Sequence, residues 1–294
     1  HDLAGEEVSH RVADQLGVVA RGPVHFPWQH KSKSGAEFPV EVSTQPITID
    51  HRRCILSSVR DVTAREEAES ARLRYLLALA HLGNRETRRA KAAAAESVEL
   101  DPRNPEARLL LADLHYRERD FAMAEQQSVA SLKLRPSDPR ALLVLGNSCM
   151  YQRKFDQARK AFEALVRLAP DSSVGYYRLG LLGMAEQKPD EAREHLEKTL
   201  EMSPRHVEAL ANLVILHTRA GDLDQALAAC DTQLGKVGDN ARVTAAVLNL
   251  KGAVLVSRGD RDAAEAQFKK AIETDSGYIP PYQALARLYL REDK

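Results

Sequence analysis

The sequence predicts a mostly α fold: a right-handed α-α superhelical solenoid over residues 71–294, preceded by a small α+β segment with antiparallel strands. Three observations carry this. Prolines stand at 102, 136, 170 and 204, 34 residues apart each time, and each closes a similar phrase: "VELDP", "LKLRP", "VRLAP", "LEMSP". Alanine and leucine are abundant while aromatics make up 5% of the chain, which suits helices packed through small residues. Between residues 23 and 62 the apolar pattern changes to period two, the mark of strands with one buried face.

The elements follow in order. "GEEVSHRVADQLGVVA" reads as a short helix. "PVHFPWQH" alternates Val24, Phe26 and Trp28 with polar or small neighbours, and "EFPVEVST" alternates Phe38, Val40 and Val42. "KSKSGAE" between them is a hairpin loop, and a turn at "IDHRR" leads to a third strand, "CILSSVRDV". There the strand runs into a charged helix. Thr63 can accept the N–H of Glu66 while Glu66 reaches back to Thr63, a capping box that starts the helix where the strand stops. Leu73, Leu76, Leu77 and Ala80 continue it at helical spacing, so the exit helix of the first segment leads into the first helix of the array, and rotation of one can pass to the other.

Each 34-residue unit reads as two amphipathic helices. In "NPEARLLLADLHYRER", Asn104 is the N-cap and Pro105 the first helical residue, where its missing N–H costs nothing. The paired helix begins near Asp120; Asp222 and Asp260 take the equivalent cap places, and Pro189 sits just inside its helix start. Small residues at Ala112, Gly146, Gly180 and Gly252 let the two helices of a unit approach, whereas Val214 predicts a slightly more open fifth pair. Four extra residues within "DNARVT" predict a longer loop between repeats.

This pattern resembles the tetratricopeptide repeat family over units at 71–104, 105–138, 139–172, 173–206, 207–240 and 245–278, with a first helix of a seventh at 279–294. The resemblance implies a concave groove that binds a partner peptide along the first helices. Transferred to this sequence, its positions are Leu109, Asp113, Tyr116 and Arg117; Leu143, Asn147, Met150 and Tyr151; Tyr177, Leu181 and Met184; and Ile215, Thr218 and Arg219. The carboxylate clamp of chaperone-binding members is not implied. Asn147, Arg178 and Asn212 fall near its places, but Leu143 and Glu208 stand where it needs lysines. Residues 1–63, ending in Asp61-Val62-Thr63, are similar to the C-terminal half of a PAS sensory domain, with residues 64–70 starting the connecting helix.

Other functions find little support. Lys+Arg and Asp+Glu are equal at 42 each, which removes the electrostatic footprint of a nucleic-acid binder. Cys54, Cys149 and Cys230 form no CxxC pair, so neither a disulfide framework nor a zinc site is expected. His195, His206 and His217 recur at 11-residue steps without a ligand motif, and "GLLG" lies within a helical pattern and not after a strand. His10 falls near the place where some PAS domains hold haem, but a packing or solvated histidine is the expectation, and no metal or cofactor is predicted. No apolar run reaches the roughly 18 residues of a membrane span.

The expectation is a bacterial, cytoplasmic sensory or regulatory scaffold that binds a protein or peptide partner and is no enzyme within these residues. The alternatives are the substrate-recruiting part of a larger transferase or kinase, or an assembly factor for the envelope or for polysaccharide export. Self-pairing through the PAS half or its exit helix is a further expectation. The chain opens on His1 and its last unit has one helix, so a piece of a longer protein is expected.

Overall fold

A computed structural model describes residues 24–32, 35–49 and 52–290, which form two compact units divided after Ala107. The expected helix at 5–20, with His10, lies outside the described residues.

In the first unit, β1 (Val24–Lys31), β2 (Glu37–Ile49) and β3 (Arg52–Asp61) form an antiparallel sheet in the order β1-β2-β3. Trp28 pairs with Val40, and Val42 with Val59, so period two places these residues on one face. Val40 on the central strand is buried, whereas Val59 on the edge strand is 47% exposed. The His30 ring meets Phe38 edge-on at 5.4 Å. The middle strand outruns its apolar alternation, which ends at Thr44: residues 45–49 pair with 52–56 of β3, and that ladder extends both strands.

One residue, Val62, separates β3 from α1 (Thr63–Gly83). Its N–H donates to the Pro39 carbonyl at 3.1 Å, which ties the helix start to β2. The expected capping box between Thr63 and Glu66 does not form. Thr63 is already the first helical residue, and both its N–H (2.9 Å) and its hydroxyl (2.6 Å) donate to Asp61 Oδ1, while the Glu66 N–H donates to the Val62 carbonyl at 3.0 Å. Asp61 therefore holds this turn, and the hydroxyl and N–H of Thr63 keep its carboxyl below the usual range. A depressed carboxylate stabilises above its unfolded pKa and stops doing so as pH falls through its folded value. Asp61→Ala should lower the melting temperature near neutral pH, with the difference shrinking in strong acid, while Glu66→Ala should leave it nearly unchanged; thermal unfolding across pH checks both. Beyond this turn α1 runs unbroken to Gly83, so exit helix and first array helix are one element. It packs on α2 (Thr87–Leu100) through buried Ala71 and Ala78 against Ala90, Ala93 and Ala94, and Ser97 Oγ donates to the Ala71 carbonyl at 2.8 Å.

After α3 (Pro105–Arg117), the second unit continues with α4 (Phe121–Leu134), α5 (Pro139–Tyr151), α6 (Phe155–Leu168), α7 (Ser173–Ala185), α8 (Pro189–Met202), α9 (Val207–Ala220), α10 (Leu223–Leu234), α11 (Ala241–Arg258), α12 (Arg261–Thr274) and α13 (Pro280–Leu290). Thirteen helices are thus present among the described residues. From α4 onward they stack chiefly on their neighbours in sequence, the contact pattern of a solenoid. The caps at Asn104, Asp120 and Asp260 are made, each side-chain oxygen accepting the N–H three residues on. Asp222 takes the N-cap place of α10, its carbonyl accepting the Ala226 N–H at 3.1 Å, but its side chain makes no capping hydrogen bond.

Helix approach is set by paired sizes. A Cβ on Gly146 would sit inside the Phe162 ring's van der Waals shell, and one on Gly252 would do the same to Phe268. One unit after Gly180 and Leu196, the fifth pair inverts this: Val214 shares its buried cluster with Cys230, a small partner for a larger residue. The pair still stays more open than its neighbours, since fewer residues of α9 and α10 approach each other closely than in the pairs α5–α6, α7–α8 and α11–α12. The four extra residues enter mainly a helix, since α11 has 18 residues where α9 has 14, one added turn. The loop before it, 235–240, is also longer than that at 203–206, because α10 stops after 12 residues.

The turn inside each unit repeats one strained feature. Arg85, Arg119, Arg153 and Gln187 have φ of 60–64°, and Gly221 and Gly259 hold the same place with φ of 82° and 84°. A left-handed residue there lets the N–H beyond it reach back five residues, as Lys154 does to the Cys149 carbonyl at 2.9 Å. For a side-chain-bearing residue that conformation costs roughly 1–2 kcal/mol. Arg153→Gly should therefore raise unfolding free energy by about 0.5–1 kcal/mol after the glycine's extra chain entropy is subtracted; urea titration measures it.

Candidate protein-binding groove

The fourteen residues singled out by sequence all lie on the first helices of their units. Spacings such as Leu143, Asn147, Met150 and Tyr151 on α5, or Tyr177, Leu181 and Met184 on α7, put each set on one helix face. What each side chain offers differs. Leu109 and Asn147 are 5% and 6% exposed, so the packed helices withhold them from a partner. Leu143 and Met150 lean on the cluster around Phe162, and Tyr177 and Met184 on the cluster around Leu210. Asp113, Tyr116, Leu181 and Thr218 are half-buried. Arg117, Tyr151, Ile215 and Arg219 are exposed, and Tyr151, at 55%, is the most exposed tyrosine of the set.

Tyr151 is held without being covered. Its ring stacks on Phe121, with centroids 4.6 Å apart and planes 6° from parallel, and Tyr116 tilts against both at 5.7 and 6.0 Å. Phe121 opens α4, a second helix, and so lies outside the first-helix positions that the family resemblance implies; its aromatic type at a helix start is the signal the sequence carries. Asp113 pairs with Arg117 at 2.8 Å beside this shelf. Burial, with Tyr151 as the next cause, raises the Tyr116 pKa and keeps its hydroxyl a neutral donor.

Farther along, Asn212 Nδ2 approaches the Tyr177 hydroxyl at 3.4 Å, the His206 ring lies 4.4 Å from the Tyr177 ring, and the Arg178 guanidinium stands 5.7 Å from it. Arg178 and Asn212 thus engage Tyr177 and do not form an open clamp. Asn147 Oδ1 and Arg178 Nε are buried with no hydrogen-bond partner among the described residues.

Histidine places follow from the helices. His206 caps α9, its Nδ1 accepting the Ala209 N–H at 3.2 Å; burial lowers the pKa of both His195, on α8, and His217, on α9. Among the described residues no three His, Cys, Asp or Glu gather as a metal site. Burial pushes the thiols of Cys149 and Cys230 up to about 11 and about 12, which leaves them protonated and unreactive at neutral pH. No helix among the described residues is long and apolar enough to cross a membrane.

Three family models described as tetratricopeptide repeat match residues 143–195, 183–250 and 245–278, and one described as anaphase-promoting complex, cyclosome, subunit 3 matches 90–165. No curated protein matches the chain. Among solved structures it is similar to PilW, a widely conserved type IV pilus biogenesis factor, at 17% identity and a TM-score of 0.57 over 73% of this chain and 98% of that one. It is also similar to PilF of Pseudomonas aeruginosa, at 22% and 0.54 over 76% and 99%. MamA of Desulfovibrio magneticus RS-1, from its residue 41 onward, matches at 20% and 0.53 over 56% and 94%. At such identities the likeness establishes the fold alone.

Proposed function

From a chain that carries tetratricopeptide repeats, we propose a protein-binding scaffold whose work is to hold a partner segment along the first helices of α3, α5, α7 and α9. The observation that carries this is the Tyr151 shelf: an aromatic ring fixed by Phe121 and Tyr116 yet left open to solvent offers large contact area at little conformational cost. Exposed Ile215 supplies a second apolar anchor two units away, and Arg117 and Arg219 supply the polar flanks. Binding and not catalysis is the work assigned to these residues, in a cytoplasmic setting. A segment with apolar anchors at that separation is the partner chemistry the face suits.

A sensory role for the sheet belongs to the same reading. The three-stranded antiparallel sheet, its exit at Asp61-Val62-Thr63 and the unbroken α1 support a PAS-type segment that controls the array. Selecting peptides from a display library on the wild-type chain, then measuring affinity by fluorescence anisotropy, tests the binding reading. Peptides that bind wild type and a Tyr151→Ala/Ile215→Ser variant with equal affinity would remove this face from the account.

A further inference from the structure

The turns after α3 and α5 carry arginine where the backbone favours glycine. Arg119 and Arg153 have φ of 64° and 60°, whereas Gly221 and Gly259 close the same turn two and three units later with φ of 82° and 84°. Glycine takes that conformation without steric cost, so each arginine is kept against the stability of the fold. Strain of this kind persists where a side chain has other work to do. Neither guanidinium does that work within the chain: both are exposed, and neither forms an ion pair among the described residues. Arg153 merely stands over the Phe155 ring, 5.8 Å from its centroid. The charges around them are committed instead. Arg117 pairs with Asp113 at 2.8 Å and Lys154 with Glu125 at 2.6 Å, while the Asp120 carboxylate lies 3.0 Å from His115 Nδ1 and accepts the Met123 N–H at 3.2 Å.

Both arginines adjoin the open rings. Arg119 stands two residues before Phe121 and Arg153 two residues after Tyr151, and those two rings stack with centroids 4.6 Å apart. An apolar anchor laid on Tyr151 therefore has, at each of the two turns, a cation without a carboxylate partner. We propose, resting on Tyr151 as a binding surface, that Arg119 and Arg153 select a partner peptide whose apolar anchor is flanked by aspartate or glutamate. A guanidinium forks onto a carboxylate through two N–H donors, and the pair strengthens as the docked anchor displaces water. Stacked rings beside arginine also suit single-stranded nucleic acid. The local charge favours the peptide: Glu118, Asp120 and Asp156, in or beside the same turns, would oppose a phosphate on every nucleotide, while spaced carboxylates can meet the two arginines alone.

Fluorescence anisotropy on the full chain tests it with two labelled peptide pools. Both carry the same randomised apolar anchors, flanked in one by aspartate and glutamate and in the other by serine and glutamine. The acidic pool should bind about 10-fold tighter at low salt, with the advantage fading at high salt, as two exposed charge pairs would give. Arg119→Gly/Arg153→Gly should bring the acidic pool down to the affinity of the neutral one while raising the urea midpoint, so a folding defect does not account for the loss. Arg119→Lys/Arg153→Lys, which keeps the charge, should recover part of the preference. Equal binding of both pools to the wild-type chain, or a preference that survives the double glycine variant, would overturn the selection by these arginines; Tyr151→Ala would then still weaken both pools if the surface itself is right. Pools that bind wild type and Tyr151→Ala alike would remove the surface as well. A single-stranded oligothymidylate that binds tighter than the acidic pool, and loses that affinity in the double glycine variant, would make the partner a nucleic acid and overturn the peptide.

Discussion

Phe162→Ala is expected to cost about 3–5 kcal/mol of unfolding free energy, because it empties a fully buried ring site between α5 and α6. Phe162 packs with Cys149, Leu179 and Leu182, so the loss reaches into α7 as well. Stability in a stacked array is the sum of unit and neighbour terms, so the damage should stay local. Hydrogen exchange should accelerate in α5 and α6 far more than in α12. The opposite partner behaves against simple propensity: Gly146→Ala improves the helix by about 1 kcal/mol, yet its new Cβ enters the Phe162 ring, and an overpacking loss of about 1–3 kcal/mol should win. Shrinking the ring relieves that clash. Gly146→Ala/Phe162→Ser, the pair that Ala112 and Ser128 form one unit earlier in register, should therefore lose less than the two single changes added together, by about 0.5–3 kcal/mol. Urea titration of the four variants measures the coupling, and strict additivity would mean that the two residues do not set the helix approach.

Tyr151→Ala is expected to weaken partner binding by about 30-fold, the scale of a central aromatic anchor worth about 2 kcal/mol. Its cost in stability should be well below that of Phe162→Ala, since the ring is 55% exposed. Tyr151→Phe keeps the stacked ring on Phe121 and should retain most of the affinity, which separates a stacking role from a hydroxyl one. Leu143→Asp and Tyr177→Asp are poor probes of the same face, because both side chains support buried clusters and would report on folding.

Much of the array was legible because prolines, caps and small residues each break or join helices for a local reason. Asn104, Pro105, Asp120 and Pro189 mark helix starts, and the structure puts them there. The turn inside the unit was not legible: its left-handed residue is arginine or glutamine in four units, and only Gly221 and Gly259 carry the expected signal. Insertion and capping misled for a related reason. Alanine-rich "ARVTAA" extends α11 as readily as it would form a loop, and Asp61, two residues upstream, outcompetes a box at Thr63 and Glu66. On the candidate face, spacing identified which residues share a helix side, but not that Leu109 and Asn147 are buried or that Phe121, from a second helix, fixes Tyr151.

Site-specific photo-cross-linking tests the central claim most directly, because it leaves the fold and the shelf intact. A benzophenone side chain at Arg219, exposed on the candidate face, is compared with one at Asp190, exposed at the start of α8. Incubated with extract from the cells that express the chain, the position 219 probe should capture one partner band that the position 190 probe does not, and a selected peptide should compete it away. Capture at 190 and not at 219 would contradict the account.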